Sequence, residues 1–194
     1  VLKEHKHIMV DCKQFVETIK QVKPKKSQRF CKLDVQHFFM SGDAVEIASL
    51  FQTLFSDPEL RSLMYDSVFF LLDSQFVFNR RDNYKYKVVK GSGMGLPHSG
   101  ATSECALLAG AELGLMRELK AHQIDLYARF KDDVFVLFNH FEKLRSFVGR
   151  LRIGHPFAIE CESIHPESIM FLEVRVTKTM KAFQCRPESK PSYL

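Results

Sequence analysis

The chain has 194 residues, of which 45% are hydrophobic and 26% charged, with a net charge of +5 at neutral pH. These values are typical of a globular domain with a hydrophobic core and argue against a disordered or fibrous chain. The five cysteines are widely spaced and form no C-x-x-C pair, which argues against a disulfide framework or zinc site and favours a reducing compartment. No apolar run reaches the roughly 18 residues of a membrane span, and no signal peptide opens the chain. We therefore expect an intracellular protein with no membrane partner, and, since the chain starts at Val1, a fragment or processed segment.

Apolar periodicity and turn residues predict a mixed order of helices and strands. The first half of the chain is predicted to form a helix over Cys12–Val22, a strand carrying Asp34, and helices over Ala44–Phe55 and Pro58–Asp73 with Asp43 and Asp57 as N-caps. A hairpin of Gln75–Phe78 with Tyr84–Val89 and a helix over Gly100–Ala121 follow. The last part is predicted to form a hairpin around Asp132-Asp133, a helix over Phe141–Leu151, and strands over Phe157–Cys161 and Met170–Thr177. Hairpins imply antiparallel pairing. The predicted fold class is therefore α+β, with an antiparallel sheet backed by helices.

Two adjacent acidic residues, Asp132 and Asp133, stand between strand-like apolar segments. Such a pair is most often a tight hairpin turn, because aspartate tolerates turn geometry and hydrogen-bonds its own backbone. A single carboxylate, Asp34, lies in another strand-like segment upstream. Carboxylates at the ends of two strands are also what a two-metal phosphoryl-transfer site requires, since oxygen ligands suit Mg²⁺ and two cations roughly 3.5–4 Å apart hold the attacking and leaving oxygens. The pattern leaves both a structural turn and a metal site open.

Basic residues cluster in two runs of the sequence. A charge run is often no more than a solvated face, but two runs are better explained by a polyanionic partner, because phosphate neutralisation is the main sequence-independent source of nucleic-acid affinity. The candidate nucleic-acid-binding residues are Lys25, Lys26, Arg29, Arg80, Arg81, Lys85, Lys87 and Lys90.

A glycine-rich loop runs from Lys90 to Gly100, ahead of a predicted helix. It is not a Walker loop, because it lacks the terminal Gly-Lys-Ser/Thr and its one lysine precedes the glycines. Glycines let a backbone approach a ligand closely, and the N-terminus of the following helix favours anions. The loop therefore suits the floor of a nucleotide site.

Four segments, in this order along the chain, resemble the palm motifs of reverse transcriptases. They are Asp34-Val35-x-x-Phe38-Phe39, Gly91-x-x-Met94-Gly95-x-Pro97-x-Ser99, Phe130-Lys131-Asp132-Asp133 and Phe171-Leu172-Glu173-Val174. The third matches the aromatic-x-Asp-Asp box of the family. The fourth resembles the Phe-Leu-Asp-Val box of Penelope-like retroelements, with Glu173 in place of the usual aspartate, and Met94-Gly95 is also similar to the Penelope-like pattern.

The resemblance implies a catalytic role for Asp34, Asp132 and Asp133. Two Mg²⁺ ions, or Mn²⁺ in their place, would be bound by Asp34, Asp132 and Val35. Phe39 matches the family's sugar-gate position, where an aromatic ring leaves no room for a 2′-hydroxyl; the alternative is that Phe38 and Phe39 both belong to the core. The implied nucleotide-binding residues are Gln36, His37, Phe38, Phe39, Met94 and Gly95.

The resemblance also implies a domain plan, with a helix and basic linker from fingers to palm over 1–29, a palm with part of the fingers over 30–177, and an extension over 178–194 toward an absent thumb. The implied function is DNA synthesis from an RNA template by a fragment of a retroelement polymerase. The implied partners are the RNA template, a DNA primer and deoxynucleoside triphosphates, and the implied location is the nucleus. Two alternatives stay open: a retroelement-derived domain that binds nucleic acid or protein without catalysis, and an RNA-dependent RNA polymerase.

Overall fold

The computed structural model describes residues 2–93 and 95–188. The helices are α1 (Cys12–Gln21), α2 (Ala44–Gln52), α3 (Pro58–Asp73), α4 (Ser99–Leu107) and α5 (Phe141–Leu151). The strands are β1 (Arg29–Gln36), β2 (Phe76–Asn79), β3 (Tyr84–Lys87), β4 (Ile124–Phe130), β5 (Asp133–Phe138), β6 (Ala158–His165), β7 (Ser168–Phe171), β8 (Val174–Lys178) and β9 (Phe183–Pro187). None of the helices in the described part of the chain is long and apolar enough to cross a membrane.

The chain divides into two compact units. The first, here called the helical unit, contains Gln36–Gly114 and Leu151–Ala158, together with Leu2. The second, here called the sheet unit, contains Lys3–Val35, Leu115–Arg150 and the described residues from Ile159 onward. Each unit is built from segments that are distant in sequence. The domain plan with boundaries at residues 29 and 177 stays a prediction.

The sheet unit contains a four-stranded sheet in the order β4-β5-β1-β6 and a three-stranded sheet in the order β7-β8-β9. The pairs β1–β5, β4–β5, β7–β8 and β8–β9 are all antiparallel. The predicted class, α+β with antiparallel sheets, is confirmed.

An aromatic core fills the sheet unit and orients α1. Asp11 caps this helix by accepting a hydrogen bond of 2.7 Å from the Gln14 N–H. Phe15 lies 5.0 Å, ring centre to ring centre, from Phe135 of β5 and 4.7 Å from Phe171 of β7. These rings are almost completely buried, and burial of one phenylalanine contributes about 1.5–3 kcal/mol. The core therefore fixes α1 and both sheets of this unit against one another.

Aspartate caps begin two helices of the helical unit, as predicted. Asp43 and Glu46 form a reciprocal capping box at the start of α2, with hydrogen bonds of 2.8 and 2.9 Å. Asp57 accepts a hydrogen bond of 2.9 Å from the Leu60 N–H, and Pro58 is the first residue of α3. Both helix starts are therefore set by local sequence.

The long helix predicted over Gly100–Ala121 is wrong in its second half. The α-helix ends at Leu107, and a π-helical turn over Leu108–Glu112 and a 3-10 turn over Leu115–Glu118 follow. Gly110 lies in the π-helical turn, where a Cβ atom would come within 2.7 Å of the His155 Cβ. Glycine supports a regular helix poorly, and here its missing side chain permits close packing.

The single strand predicted over Met170–Thr177 is also wrong. It is two strands, β7 and β8, joined by a two-residue turn of Leu172 and Glu173 with φ angles of 49° and 61°. Positive φ at both central residues is typical of a type I′ turn, in which Asn-Gly is the most common central pair. Leu172-Glu173 is not such a pair, so no local sequence signal indicated the turn. Strand β9 was not predicted, and it lies within the 178–194 segment.

Candidate active site

Antiparallel pairing brings the acidic residues of β1 and of the β4–β5 hairpin together. Asp34 is the register partner of Asp133, and the Val35 N–H donates a hydrogen bond of 3.0 Å to the Asp132 carbonyl oxygen. The hairpin predicted around Asp132-Asp133 is confirmed, with Lys131 and Asp132 as its two turn residues. Lys131 has a φ of 54°, a backbone conformation that residues with side chains rarely adopt. Asp132 therefore lies in a strained turn, and Asp133 and Asp34 lie on the two neighbouring strands beside it.

A lysine on the same strand links two of the carboxylates. Lys32 Nζ lies 3.0 Å from an Asp133 oxygen and 2.8 Å from an oxygen of Glu162 on β6. Burial by itself lowers the pKa of Lys32, but hydrogen bonds to Glu162 and Asp133 and the charges of both outweigh it, so its pKa is raised. Lys32 is therefore protonated at neutral pH, and its single positive charge partly offsets the charges of Asp133 and Glu162.

The environment of Asp34 penalises its negative charge. Burial is the largest cause of a raised pKa at Asp34, followed by repulsion from Asp132, Asp133 and Glu162, which the charge of Lys32 only partly offsets. Like charges held close together disfavour ionisation, so the three neighbouring carboxylates add to the effect of burial on the pKa of Asp34.

The chemistry of this donor set fits a divalent cation, because carboxylate and carbonyl oxygens are the ligands that Mg²⁺ prefers. Within residues 2–93 and 95–188, however, no three side chains of His, Cys, Asp or Glu form a group that could hold a metal ion. Asp133 interacts with Lys32 instead. Metal binding by Asp34, Asp132 and Val35 therefore stays a prediction, with Asp133 outside the ligand set.

A cavity of about 810 Å³ opens beside the hairpin in the sheet unit. Its wall includes Asp133, Lys32 and the turn between β7 and β8. Phe171, the last residue of β7, is buried, whereas Glu173 in the turn is exposed. The fourth motif of the sequence thus lies next to the third, although their separation along the chain is large.

In the helical unit, the two phenylalanines after β1 differ in exposure. Phe38 is buried at 3% and packs 6.1 Å from the ring of Phe157, whereas Phe39 is partly exposed. The ring of Phe39 also lies 5.1 Å from the ring of Phe38, centre to centre, so its partial exposure does not exclude the core alternative. The role of Phe39 as a sugar gate stays a prediction.

The glycine-rich loop holds the backbone of Phe39 closely. The Ser92 N–H donates a hydrogen bond of 2.7 Å to the Phe39 carbonyl oxygen, and the Gly91 N–H donates one of 2.7 Å to the Gly42 carbonyl oxygen. A Cβ atom on Gly91 would lie 2.2 Å from the Phe39 oxygen and 2.3 Å from Met40 Cα, and Gly91 has a φ of 69°. The sequence suggested that the loop glycines let the backbone approach a ligand. At Gly91 the missing side chain instead lets the loop backbone pack against the backbone of Phe39 and position that residue.

The remaining predicted nucleotide-binding residues are varied in their surroundings. Gln36 is partly exposed, and His37 is exposed with a φ of 52°. Gly95 is exposed, with a φ of 93° and open space around the position of a Cβ atom. Met94 lies outside the described residues. An unfavourable backbone conformation at His37 is the kind of feature that clusters at functional sites.

Histidine 98, for which the sequence suggested no clear role, supports the same loop. Its Nε2 lies 3.3 Å from Nε2 of the buried Gln75, whose Oε1 accepts a hydrogen bond of 3.1 Å from the Gly93 N–H. Ser99 Oγ donates a hydrogen bond of 2.6 Å to the Gly93 carbonyl oxygen. These bonds fix both sides of Gly93, so His98 acts on the loop through Gln75.

The basic residues predicted to bind nucleic acid divide between the two units, and three already have partners. Lys25 forms an ion pair of 2.7 Å with Asp125, and Lys87 forms one of 2.6 Å with Asp73. The Arg29 guanidinium lies 4.8 Å from the centre of the Phe141 ring. The other five are exposed: Lys26, Arg80, Arg81, Lys85 and Lys90.

Sequence reasoning missed Lys32 and Glu162 as parts of the site. Lys32 precedes Asp34 by two positions in a strand, so period-two alternation puts both on the same face, and this pattern could have found it. No pattern could have found Glu162, because nothing local indicates that β6 is the neighbour of β1.

No protein-family model matches this sequence, and no curated protein matches it. Solved structures do have a similar fold. Apo telomerase from Candida tropicalis is 9% identical with a TM-score of 0.66, covering 93% of this chain and 37% of that one. Telomerase from Candida albicans in complex with a fragment of telomeric RNA is 10% identical with a TM-score of 0.63, covering 96% of this chain and 36% of that one.

A viral polymerase shares the fold more distantly. The RNA-dependent RNA polymerase of a human picobirnavirus is 12% identical with a TM-score of 0.50, covering 84% of this chain and 31% of that one. The chain thus spans about a third of the length of these proteins. At such low identities the similarity concerns the fold alone: the chain has a fold like that found in telomerase and in a viral RNA polymerase.

Proposed function

We propose that this chain is the palm, with part of the fingers, of an RNA-directed DNA polymerase from a Penelope-like or related retroelement. The observation that carries the proposal is the pairing of Asp34 with the Asp132-Asp133 hairpin on neighbouring strands, within a fold like that of telomerase. The reaction is attack of a primer 3′-hydroxyl on the α-phosphate of a deoxynucleoside triphosphate, with release of pyrophosphate. An RNA template directs the choice of nucleotide.

In this proposal Asp34, Asp132 and the Val35 backbone would hold two Mg²⁺ ions, whose charge would stabilise the transferred phosphate. Lys32 restrains Asp133, so that Asp133 supports the turn without binding metal. The motif resemblance implies that the backbone of Gln36 and His37 would lie along the triphosphate. Most of the rate enhancement in phosphoryl transfer comes from positioning and charge stabilisation, and these residues supply both.

The test is primer extension on an RNA template with the chain and with single variants. Asp34→Asn and Asp132→Asn should reduce extension at least about 100-fold, because each removes a charge at the reacting phosphate. Asp66→Asn, which alters an exposed carboxylate of α3, is the matched control and should extend normally. Equal activity of all three variants would reject the assignment.

Phe39 distinguishes this proposal from an RNA-dependent RNA polymerase. A partly exposed aromatic ring at this position would exclude the 2′-hydroxyl of a ribonucleotide. Phe39→Ala should therefore raise the ratio of ribonucleotide to deoxynucleotide incorporation by about tenfold or more. Removal of a steric clash of about 1.4 kcal/mol would give a tenfold change in rate. Unchanged rejection of ribonucleotides in Phe39→Ala would remove Phe39 from this role.

A second candidate is a retroelement-derived domain that binds nucleic acid without catalysis. The ion pairs of Lys32 with Asp133 and Glu162 favour it, because they stabilise the acidic cluster without any metal. Under this alternative, RNA affinity persists in Asp34→Asn and does not depend on Mg²⁺. A requirement of Mg²⁺ for nucleotide binding would argue against the second candidate.

A further inference from the structure

Two free thiols face each other across neighbouring strands of the sheet unit. The Cys31 Sγ on β1 lies 3.6 Å from the Cys161 Sγ on β6. A disulfide bond is about 2.05 Å long, so each sulfur would need to move by less than about 1 Å, which a small side-chain rotation provides. The two residues are 130 positions apart in sequence, so only the fold brings them together.

The two thiols differ in their access to solvent. Cys31 is completely buried, whereas Cys161 is exposed. Burial, together with the neighbouring Cys161, raises the pKa of the Cys31 thiol, which keeps Cys31 protonated and unreactive toward solutes by itself. An oxidant in solution would therefore react first with Cys161, and Cys31 would act as the resolving thiol.

A disulfide between Cys31 and Cys161 would affect the structure because of where the two residues lie. Strand β6 is at the edge of its sheet, and edge strands are the part of a sheet that most readily opens. The residues that follow the two cysteines, Lys32 and Glu162, form an ion pair of 2.8 Å. Because successive side chains of a strand point to opposite faces, the thiol pair and the ion pair join β1 and β6 from opposite faces of the sheet.

We propose that Cys31 and Cys161 form an oxidative cross-link site, at which a small-molecule disulfide such as oxidised glutathione converts the two thiols into a disulfide that fixes β6 to β1. The Cys161 thiolate attacks one sulfur of the oxidant, forms a mixed disulfide and releases one small thiolate. That thiolate takes the proton of Cys31, the Cys31 sulfur attacks the Cys161 sulfur, and the second small thiolate leaves and is protonated by solvent. Two protein thiols are oxidised and one external disulfide is reduced to two thiols. The proposal does not depend on the polymerase function.

The test is to equilibrate the chain in glutathione buffers of increasing oxidised fraction, block remaining thiols with an alkylating agent and map the peptides by mass spectrometry. The expected result is a Cys31–Cys161 linked peptide that appears before any other disulfide. The melting temperature should rise by about 5 °C or more on oxidation, since a cross-link between residues so distant in sequence strongly restricts the unfolded chain. Reduction should reverse both changes.

The matched control is Cys161→Ser, which alters the exposed member of the pair and leaves the buried thiol in place. This variant should lose the linked peptide and the rise in melting temperature, while its melting temperature under reducing conditions stays that of the unaltered chain. Cys12 and Cys185, both half-buried, report on unspecific oxidation. Accumulation of glutathione on Cys161 with Cys31 still open to alkylation, earlier formation of another disulfide, or a lower melting temperature on oxidation would each overturn the proposal.

Discussion

Asp34 is a carboxylate whose charge destabilises the folded protein. Its pKa in the folded state is raised, first by burial and then by the neighbouring carboxylates, so between the unfolded and folded pKa values the folded state binds more protons than the unfolded state. The free energy of unfolding therefore falls as pH rises through that range, and the loss persists at neutral pH. A destabilising charge that is retained at a strand end is the pattern expected of a functional residue.

Asp34→Asn should consequently stabilise the folded protein. At pH 7 we expect the free energy of unfolding to increase by up to about 1 kcal/mol, a limit set by the partial exposure of this side chain. The gain should shrink as pH falls toward 4, because the carboxyl group of the unaltered protein is then neutral as well. Urea unfolding at several pH values measures this. Destabilisation by Asn at pH 7, or a gain that does not vary with pH, would contradict the account of Asp34.

At the scale of elements, two glycines of the loop from Gly91 to Ser99 have different roles. Gly91 is needed for close packing, whereas Gly95 is needed only for its backbone conformation. Both Gly91 and Gly95 have positive φ angles, but a Cβ atom on Gly91 would overlap the backbone of Phe39 and Met40, whereas one on Gly95 would meet nothing within 4 Å. The two positions therefore separate steric overlap from backbone strain.

We expect Gly95→Ala to lower the free energy of unfolding by about 1 kcal/mol, the cost of a left-handed backbone with a side chain. Gly91→Ala should cost at least about 1 kcal/mol more, because the atoms that it overlaps belong to the main chain and cannot rotate away. Urea unfolding of both variants against the unaltered protein gives the comparison. Equal losses would show that Gly91 does not position Phe39.

The accuracy of prediction differs between elements for identifiable reasons. The start of helix α3 was predicted correctly and its end approximately, because Asp57 caps it, Pro58 is its first residue and apolar spacing continues to its end. The turn of Leu172 and Glu173 was missed because no residue in it favours positive φ, and the surrounding strands impose that conformation instead. Local signals thus fix elements that are stable by themselves, while tertiary packing fixes the others.

At the scale of the whole molecule, the order of short motifs was more informative than overall similarity. Identity to the solved structures is only 9–12%, yet the motifs singled out Asp34 and the Asp132-Asp133 hairpin, which lie on neighbouring strands. The ion pairs of Lys32 with Asp133 and Glu162 could not be predicted in full, since they depend on the strand order β4-β5-β1-β6. Motifs can therefore point to the acidic residues that lie together, but not to Lys32 and Glu162, which pair with them through the strand order.

The most direct test of the central claim is the binding of Mn²⁺, a paramagnetic substitute for Mg²⁺, measured by electron paramagnetic resonance in the presence of a deoxynucleoside triphosphate. The full chain is compared with Asp34→Asn, Asp132→Asn and the control Asp66→Asn. The account predicts that the protein-dependent loss of the free Mn²⁺ signal disappears in Asp34→Asn and in Asp132→Asn and is retained in Asp66→Asn. Equal Mn²⁺ binding by all four proteins, or none by the unaltered chain, would contradict a metal site formed by Asp34 and Asp132.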